Sequence, residues 1–326
     1  MFVHHYNAVT AENAMKPINI TSAKGVYNFA EADKIVALAG NNKLKMIGHT
    51  LIWHRQSADW LNKNPDGTPL NREKARANME EFIKTYVGRY SGKIYSWDVI
   101  NEVFVDSDEE YSGNWKDYLR RDAEKPGDIG FWTLAYENGA ANDENGADFI
   151  FDAYFFARRS DLKAILYYND YNTEFPTKCK AIAEMVEEIN AKWCKHPEYD
   201  GRLLIEGIGM QGHYNMGTNI NDVRKSIERF VKTGALLAVT EIDLTVGSED
   251  NPAIPITHEQ SKAQAQFYKA LFLLFTEYST NIERVTMWGK NDKQSWRSWG
   301  SPTFFDKNGK AKEALFAILH KEDVND

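Results

Sequence analysis

Cysteine is scarce in this sequence, and basic residues are outnumbered. Only Cys179 and Cys194 occur in 326 residues, and both fall within 177–195, which reads as one helix. A rise of about 1.5 Å per residue holds their backbones roughly 22 Å apart, beyond the reach of a disulfide, so free thiols are expected. Lys and Arg number 39 against 47 Asp and Glu, for a net charge of −8. With no basic patch, a nucleic-acid partner is not expected, because phosphate binding rests on clustered cations. No apolar run approaches the ~20 residues of a membrane span, and the N-terminus lacks the layout of a signal peptide, so no membrane partner is expected either. Repeats, low-complexity runs and glycine-rich phosphate loops are also missing.

What is present is the composition of a soluble globular protein, 43% hydrophobic and 26% charged, long enough for a substantial core. Nine Trp, 16 Tyr and 17 Phe exceed what a core demands. They hint at a cleft in which flat rings meet a ligand.

Short apolar runs alternate with longer amphipathic ones. Strands are expected at 5–10, 45–53, 96–102, 162–169, 203–210, 236–240 and 284–288. Helices are expected at 29–40, 71–90, 148–159, 177–195, 222–232, 259–278 and 312–320. Regular alternation predicts parallel strands joined by crossover helices, and a (β/α)8 TIM barrel fits best. In nearly every strand the polar residues gather at the carboxyl end, the active-site face of such barrels: His49, Asn101 with Glu102, Asn169 with Asp170, Gln211, Glu241 and Trp288. A doubly wound sheet is the rival, but it has no phosphate loop to support it. The pattern yields seven strands, so the first β/α unit is expected to be missing or displaced upstream, with an additional upstream module as one route. The whole of 1–326 is expected to form a single catalytic barrel domain, with one unusually long connection at 106–146.

Two stretches end in a carboxylate at the mouth of a buried strand: Trp97-Asp98-Val99-Ile100-Asn101-Glu102 and Leu237-Ala238-Val239-Thr240-Glu241-Ile242-Asp243. Two carboxylates in one cleft are the minimal equipment for cleaving a glycosidic bond. Strand alternation puts Gln211 with His213, Glu241 with Asp243, and His49 with Leu51 and Trp53 on shared faces. His213 and Asp243 then flank Glu241 as a carboxylate–imidazole–carboxylate chain, and Gln211 faces the acid. His49 and His213 lack the tight spacing of a metal site, so neither a metal nor another cofactor is expected.

Seven segments in register resemble glycoside hydrolase family 10, the retaining endo-β-1,4-xylanases. They are Val9-Thr10-Ala11-Glu12-Asn13-Ala14-Met15-Lys16, Gly48-His49-Thr50-Leu51-Ile52-Trp53-His54, the Glu102 strand, Tyr168-Asn169-Asp170-Tyr171-Asn172, Gly207-Ile208-Gly209-Met210-Gln211-Gly212-His213, Val239-Thr240-Glu241-Ile242-Asp243, and Trp288-Gly289 with Asp292-Lys293-Gln294-Ser295-Trp296-Arg297. The resemblance implies that Glu102 is the acid/base and Glu241 the nucleophile, about 5–5.5 Å apart as retention requires. It implies that Glu12, Asn13, Lys16, His49, Trp53 and Asn101 bind sugars on the non-reducing side of the cut. Gln211 and His213 would hold the catalytic carboxylates, Trp288 and Trp296 would wall the cleaved sugar's site, and Tyr171 and Gln56 would contact the chain around the cut. The implied partners are xylan and xylo-oligosaccharides. The alternatives are a β-1,4-glucanase, which a bulky Trp296 disfavours by crowding the carbon that xylose lacks, and a catalytically weak xylan-binding protein. The aromatic and basic residues of 106–146, Tyr111, Trp115, Tyr118, Arg120 and Arg121, are expected to shape leaving-side subsites or to receive branches of the polymer.

Overall fold

A computed structural model describes residues 5–122 and 126–319. The chain divides into two compact units: residues up to Asp170 together with Thr177–Gly209, and Tyr171–Pro176 together with the residues from Met210 onward.

The first unit carries strands β1 (Ala8–Thr10), β2 (Thr21–Ala23), β3 (Val26–Tyr27), β4 (Lys45–Trp53), β5 (Ser96–Asn101), β6 (Ile165–Asp170) and β7 (Gly207–Met210). Its helices are α1 (Pro17–Ile20), α2 (Ala30–Asn41), α3 (Arg72–Arg89), α4 (Phe131–Glu137), α5 (Asp148–Ser160) and α6 (Pro176–Trp193). Strands β1, β4, β5 and β6 pair in parallel, each with its neighbour, and β2 with β3 forms a separate antiparallel hairpin. The second unit holds β8 (His213–Asn215), β9 (Leu236–Thr245) and β10 (Ile282–Met287), with helices α7 (Ile220–Val231), α8 (His258–Glu277) and α9 (Glu313–Leu319). There β8 and β10 each pair in parallel with β9.

The local causes are legible. Helix α3 starts on Asn71, whose side chain accepts from the Lys74 amide, and it buries Ala75, Met79, Phe82, Ile83, Tyr86 and Val87 as one stripe. Helix α8 opens on a capping box between Thr257 and Gln260. In the first unit Trp97 is fully buried, with the Tyr86 ring edge-on at 5.1 Å. It lies so close to β4 that only glycine fits opposite it, at Gly48.

Several expectations shift. The first strand is shorter than 5–10, and 203–210 narrows to Gly207–Met210, whereas 236–240 lengthens to Thr245. On α2 the buried face is Ala32, Val36 and Ala39, while Leu38 is 49% exposed, because 3.6-residue periodicity turns it outward. The alternation expected through His49, Leu51 and Trp53 breaks: His49 pairs with Asp98 and Trp53 with Asn101, so β4 spends one more residue than β5 between them, as a bulge. Gln211 and His213 do not share one strand either, since Gly212 (φ +77°) separates β7 from β8. Neither cysteine forms a disulfide. Of the last expected helix, His320 lies outside the described residues. Among the described residues, no helix is long and apolar enough to cross a membrane.

Gly48 offers a direct test of the core. A Cβ there would stand 2.1 Å from the Trp97 ring, so Gly48→Ala is expected to cost about 1–3 kcal/mol. Urea unfolding reads this as a lowered midpoint, and an unchanged midpoint would mean that the ring has room to swing.

Candidate active site

In the first unit the candidate residues gather at the carboxyl ends of β4, β5 and β6. Glu102 follows β5 directly and takes up a left-handed backbone conformation at φ +59°, sparsely populated for residues with a side chain. Two hydrogen bonds hold it there: its amide donates to the Asn169 carbonyl at 2.9 Å, and its carbonyl accepts from Arg120 Nε at 2.9 Å. The half-buried carboxylate takes one donor on each oxygen, Trp53 Nε1 at 3.0 Å on Oε2 and Asn101 Nδ2 at 3.0 Å on Oε1. Asn169 Nδ2 donates in turn to Asn101 Oδ1 at 2.9 Å, which fixes the orientation of that amide.

Around this core lie the other residues expected in this unit. His49 Nδ1 is 2.9 Å from Asp98 Oδ2, both groups being buried, and its ring lies 6.5 Å from Trp53. Lys16 donates to Asn13 Oδ1 at 3.0 Å and Gln56 Oε1 at 2.8 Å, and its ammonium stands 5.1 Å from the Trp53 ring centre. Glu12 and Asn13 are exposed in the turn before α1. Asp170 is buried against the Tyr168 hydroxyl and the Lys178 ammonium, the latter at 2.9 Å. Burial lifts its carboxyl to about 6; Lys178 and the Tyr168 hydroxyl pull it down, and the Glu102 charge adds to the rise.

In the second unit Glu241 lies in the middle of β9, buried, its amide donating to the Gln211 carbonyl at 2.8 Å. His213 stands between two carboxylates, with Nε2 3.4 Å from Glu241 Oε2 and Nδ1 3.1 Å from Asp243 Oδ2. Burial opposes charge on this imidazole, but Asp243 first and Glu241 second outweigh it and push its pKa up to about 10. Asp243 also accepts from Arg297 at 2.6 Å and from Trp296 Nε1 at 3.0 Å, and the Trp296 ring packs edge-on against His213 at 5.0 Å. Gln211 is buried. Trp288 is half-buried after β10, its amide bonded to the Ile242 carbonyl, and Tyr171 is half-buried after β6.

Sequence reasoning gave no role to Asp98, Arg297 or the Arg120 backbone bond. An Asp inside an apolar strand was a usable signal for Asp98, since a buried charge needs a partner. The expectation for 106–146 needs correction. Trp115 and Tyr118 are buried, Trp115 Nε1 donates to Glu188 at 2.6 Å, and the Tyr111 hydroxyl donates to Glu184 at 2.5 Å. Those partners lie on α6, so the rings anchor the loop, and Trp115 and Tyr118 are too buried to be presented to a ligand. Among the described residues, no group of three or more His, Cys, Asp or Glu is placed to hold a metal ion.

The family model described as glycosyl hydrolase family 10 matches residues 1–321. The chain belongs to glycosyl hydrolase family 10. It is 36% identical to endo-1,4-beta-xylanase A of Thermotoga maritima over 99% of this chain, and spans 28% of that longer protein. It is 32% identical to endo-1,4-beta-xylanase B of Paenibacillus barcinonensis, over 98% of this chain and 89% of that one. Among solved structures, a bacterial Ig-like domain containing GH10 xylanase from termite gut is similar at a TM-score of 0.85 and 36% identity, covering 98% of this chain and 71% of that one. The fold class is accordingly α/β, the (β/α)8 TIM barrel of the family.

The elevated imidazole of His213 sets a pH dependence. Its pKa in the folded protein, about 10, lies above its ordinary 6.5. The stability it contributes is therefore complete below about 6.5 and is lost as pH rises through about 10. Urea unfolding from pH 6 to pH 10.5 should show that decline, and His213→Asn should flatten it. Equal slopes in both proteins would contradict a charged imidazole here.

Proposed function

We propose that Glu102 and Glu241 divide the work of an endo-1,4-β-xylanase, within one catalytic domain formed by 1–326. The reaction is hydrolysis of internal β-1,4-xylosidic bonds with net retention, through a covalent glycosyl-enzyme. Glu241 attacks the anomeric carbon while Glu102 gives its proton to the departing oxygen. Once ionised, Glu102 draws a proton from water, which then releases the sugar from Glu241. Xylan and its oligosaccharides are the substrates. The observation that carries the assignment is the family match over residues 1–321, with Glu102 directly after β5, Glu241 within β9, and each carboxylate supplied with dedicated partners.

The partners suit these tasks. Trp53 and Asn101 each donate to one Glu102 oxygen, which supports the anion that must act as base in the second step. In this reading Asn101 also bonds the sugar 2-hydroxyl, a contact that strengthens in the oxocarbenium-like transition state. His213, charged at neutral pH, puts a cation 3.4 Å from the carboxylate that must attack as an anion. Asp243, held by Arg297 and Trp296, fixes the orientation of that imidazole. Lys16, Asn13, Glu12, His49 and Trp53 bind sugars on the non-reducing side. Gln211 positions the catalytic carboxylates, Trp288 and Trp296 wall the cleaved sugar's site, and Tyr171 and Gln56 contact the chain around the cut.

Two variants separate the roles. Glu241→Ala should abolish reducing-sugar release from xylan and also the hydrolysis of a dinitrophenyl β-xylobioside. Glu102→Ala should lower xylan turnover by about 10²–10⁴-fold. It should still release the dinitrophenolate rapidly in the first turnover, because that leaving group needs no proton. Loss of the burst in Glu102→Ala would refute its assignment as the acid. Release from carboxymethylcellulose at a rate matching xylan would point to a glucanase instead.

A further inference from the structure

Anchored to α6 through Trp115 and Tyr111, the 106–146 connection doubles back along the residues that follow Glu102. The Val105 amide donates to the Tyr118 carbonyl at 3.0 Å and the Arg120 amide to the Val103 carbonyl at 2.8 Å, with Phe104 and Leu119 paired antiparallel between them. This short ladder fixes the backbone of Arg120 beside the end of β5. Gly130 also packs against it: a Cβ there would stand 1.9 Å from the Arg120 carbonyl oxygen, so only glycine admits the approach.

From that fixed backbone the buried guanidinium reaches back to the Glu102 carbonyl, Nε donating at 2.9 Å. The amide of the same peptide unit, on Val103, donates to the buried Tyr168 hydroxyl at 3.3 Å, and Tyr168 is itself bonded to Asp170. The 102–103 peptide plane is therefore gripped at both ends. Glu102 sits at φ +59°, a conformation that a residue with a side chain keeps only where its surroundings over-determine it. Relaxing it would rotate the 102–103 peptide and the Cα–Cβ bond together against the end of β5, and so re-aim the carboxyl group. The planar guanidinium suits the task, because its donors point in fixed directions. Nor is its charge left alone in the interior. Burial works against the Asp128 carboxyl, but Arg55 first, then His54 and Arg120, hold it below the usual carboxylate range, so an anion stands within the field of Arg120. Resting on the hydrolase reading above, we infer that Arg120 is a positioning residue for proton transfer: through the Glu102 carbonyl it keeps the acid/base carboxyl aimed at the departing oxygen, and the 106–146 loop serves to deliver it. The role needs no contact with substrate. Trp53 and Asn101 hold the carboxylate oxygens, and Arg120 holds the backbone that presents them.

The test compares the full chain with Arg120→Met, which keeps much of the bulk but removes the donors, with Arg120→Lys, and with Glu102→Ala. Two aryl β-xylobiosides are used, one losing dinitrophenolate, which departs without a proton, and one losing phenolate, which needs proton donation. Arg120→Met should lower kcat/KM on the phenyl glycoside about ten- to a hundredfold, since a misplacement of about 1 Å at a reacting group costs up to that much. On the dinitrophenyl glycoside, whose first step bypasses the acid, kcat/KM should change less than about threefold. The two values are compared within one sample, so any unfolded fraction cancels from their ratio. Arg120→Lys, a cationic donor without the fork, should recover part of the phenyl loss. If Arg120→Met shows no cooperative unfolding, Arg120→Lys decides by the same ratio, a selective phenyl loss supporting the inference and an unchanged ratio overturning it. Equal losses on both glycosides would mean that Arg120 serves folding alone, and no loss on either would mean that Glu102 is held without it; each overturns the inference. If Glu102→Ala itself shows no selective loss on the phenyl glycoside, the hydrolase reading fails and takes this inference with it.

Discussion

A carboxylate buried in a protein must be paired or it will not stay charged, and much of this structure follows from that requirement. Asp98 has His49, Asp170 has Lys178 and the Tyr168 hydroxyl, Asp243 has Arg297, His213 and Trp296, and Asp292 has Lys312 at 3.1 Å and Thr303. Each pair ties a strand or loop to another element, so these buried polar groups fix local geometry. Removing one member leaves a buried charge alone, which costs far more than the contact itself contributes.

The two proposed catalytic residues sit in contrasting settings. Glu102 stands just past its strand, half-buried, in a left-handed conformation pinned by Asn169 and Arg120. That position suits a group that exchanges protons with both sugar and water. Glu241 lies within β9, where the register against β10 shifts between Val239 and Ile242, and it has a charged imidazole beside it. That position suits a nucleophile that must stay anionic and aimed at one atom. Each setting is supplied by neighbours on adjacent strands, and parallel register brings those neighbours level.

Where simple alternation served as the guide, it failed at particular places for physical reasons. The β4 bulge moves Trp53 level with Asn101, which lets the indole N–H reach Glu102. The turn at Gly212 separates Gln211 from His213 and starts a short strand of its own, β8, that sets His213 opposite Asp243. The aromatic side chains of 106–146 looked suited to a ligand by composition, yet Trp115 and Tyr111 bond to glutamates of α6. Composition reports that rings are available and says nothing of which neighbour will claim them.

The sequence alone determined the βα repeat and the family, and singled out the two carboxylates proposed to act, because hydrophobic period and contiguous motifs are local properties of a chain. It determined the span of α3, expected at 71–90 and found at Arg72–Arg89, for the same reason. Only tertiary structure decided that Trp53 donates to Glu102, that Arg297 holds Asp243, and that Arg120 clamps the Glu102 carbonyl. These contacts join residues far apart in the chain. All of them depend on strand register, bulges and loop anchoring, which no local pattern encodes.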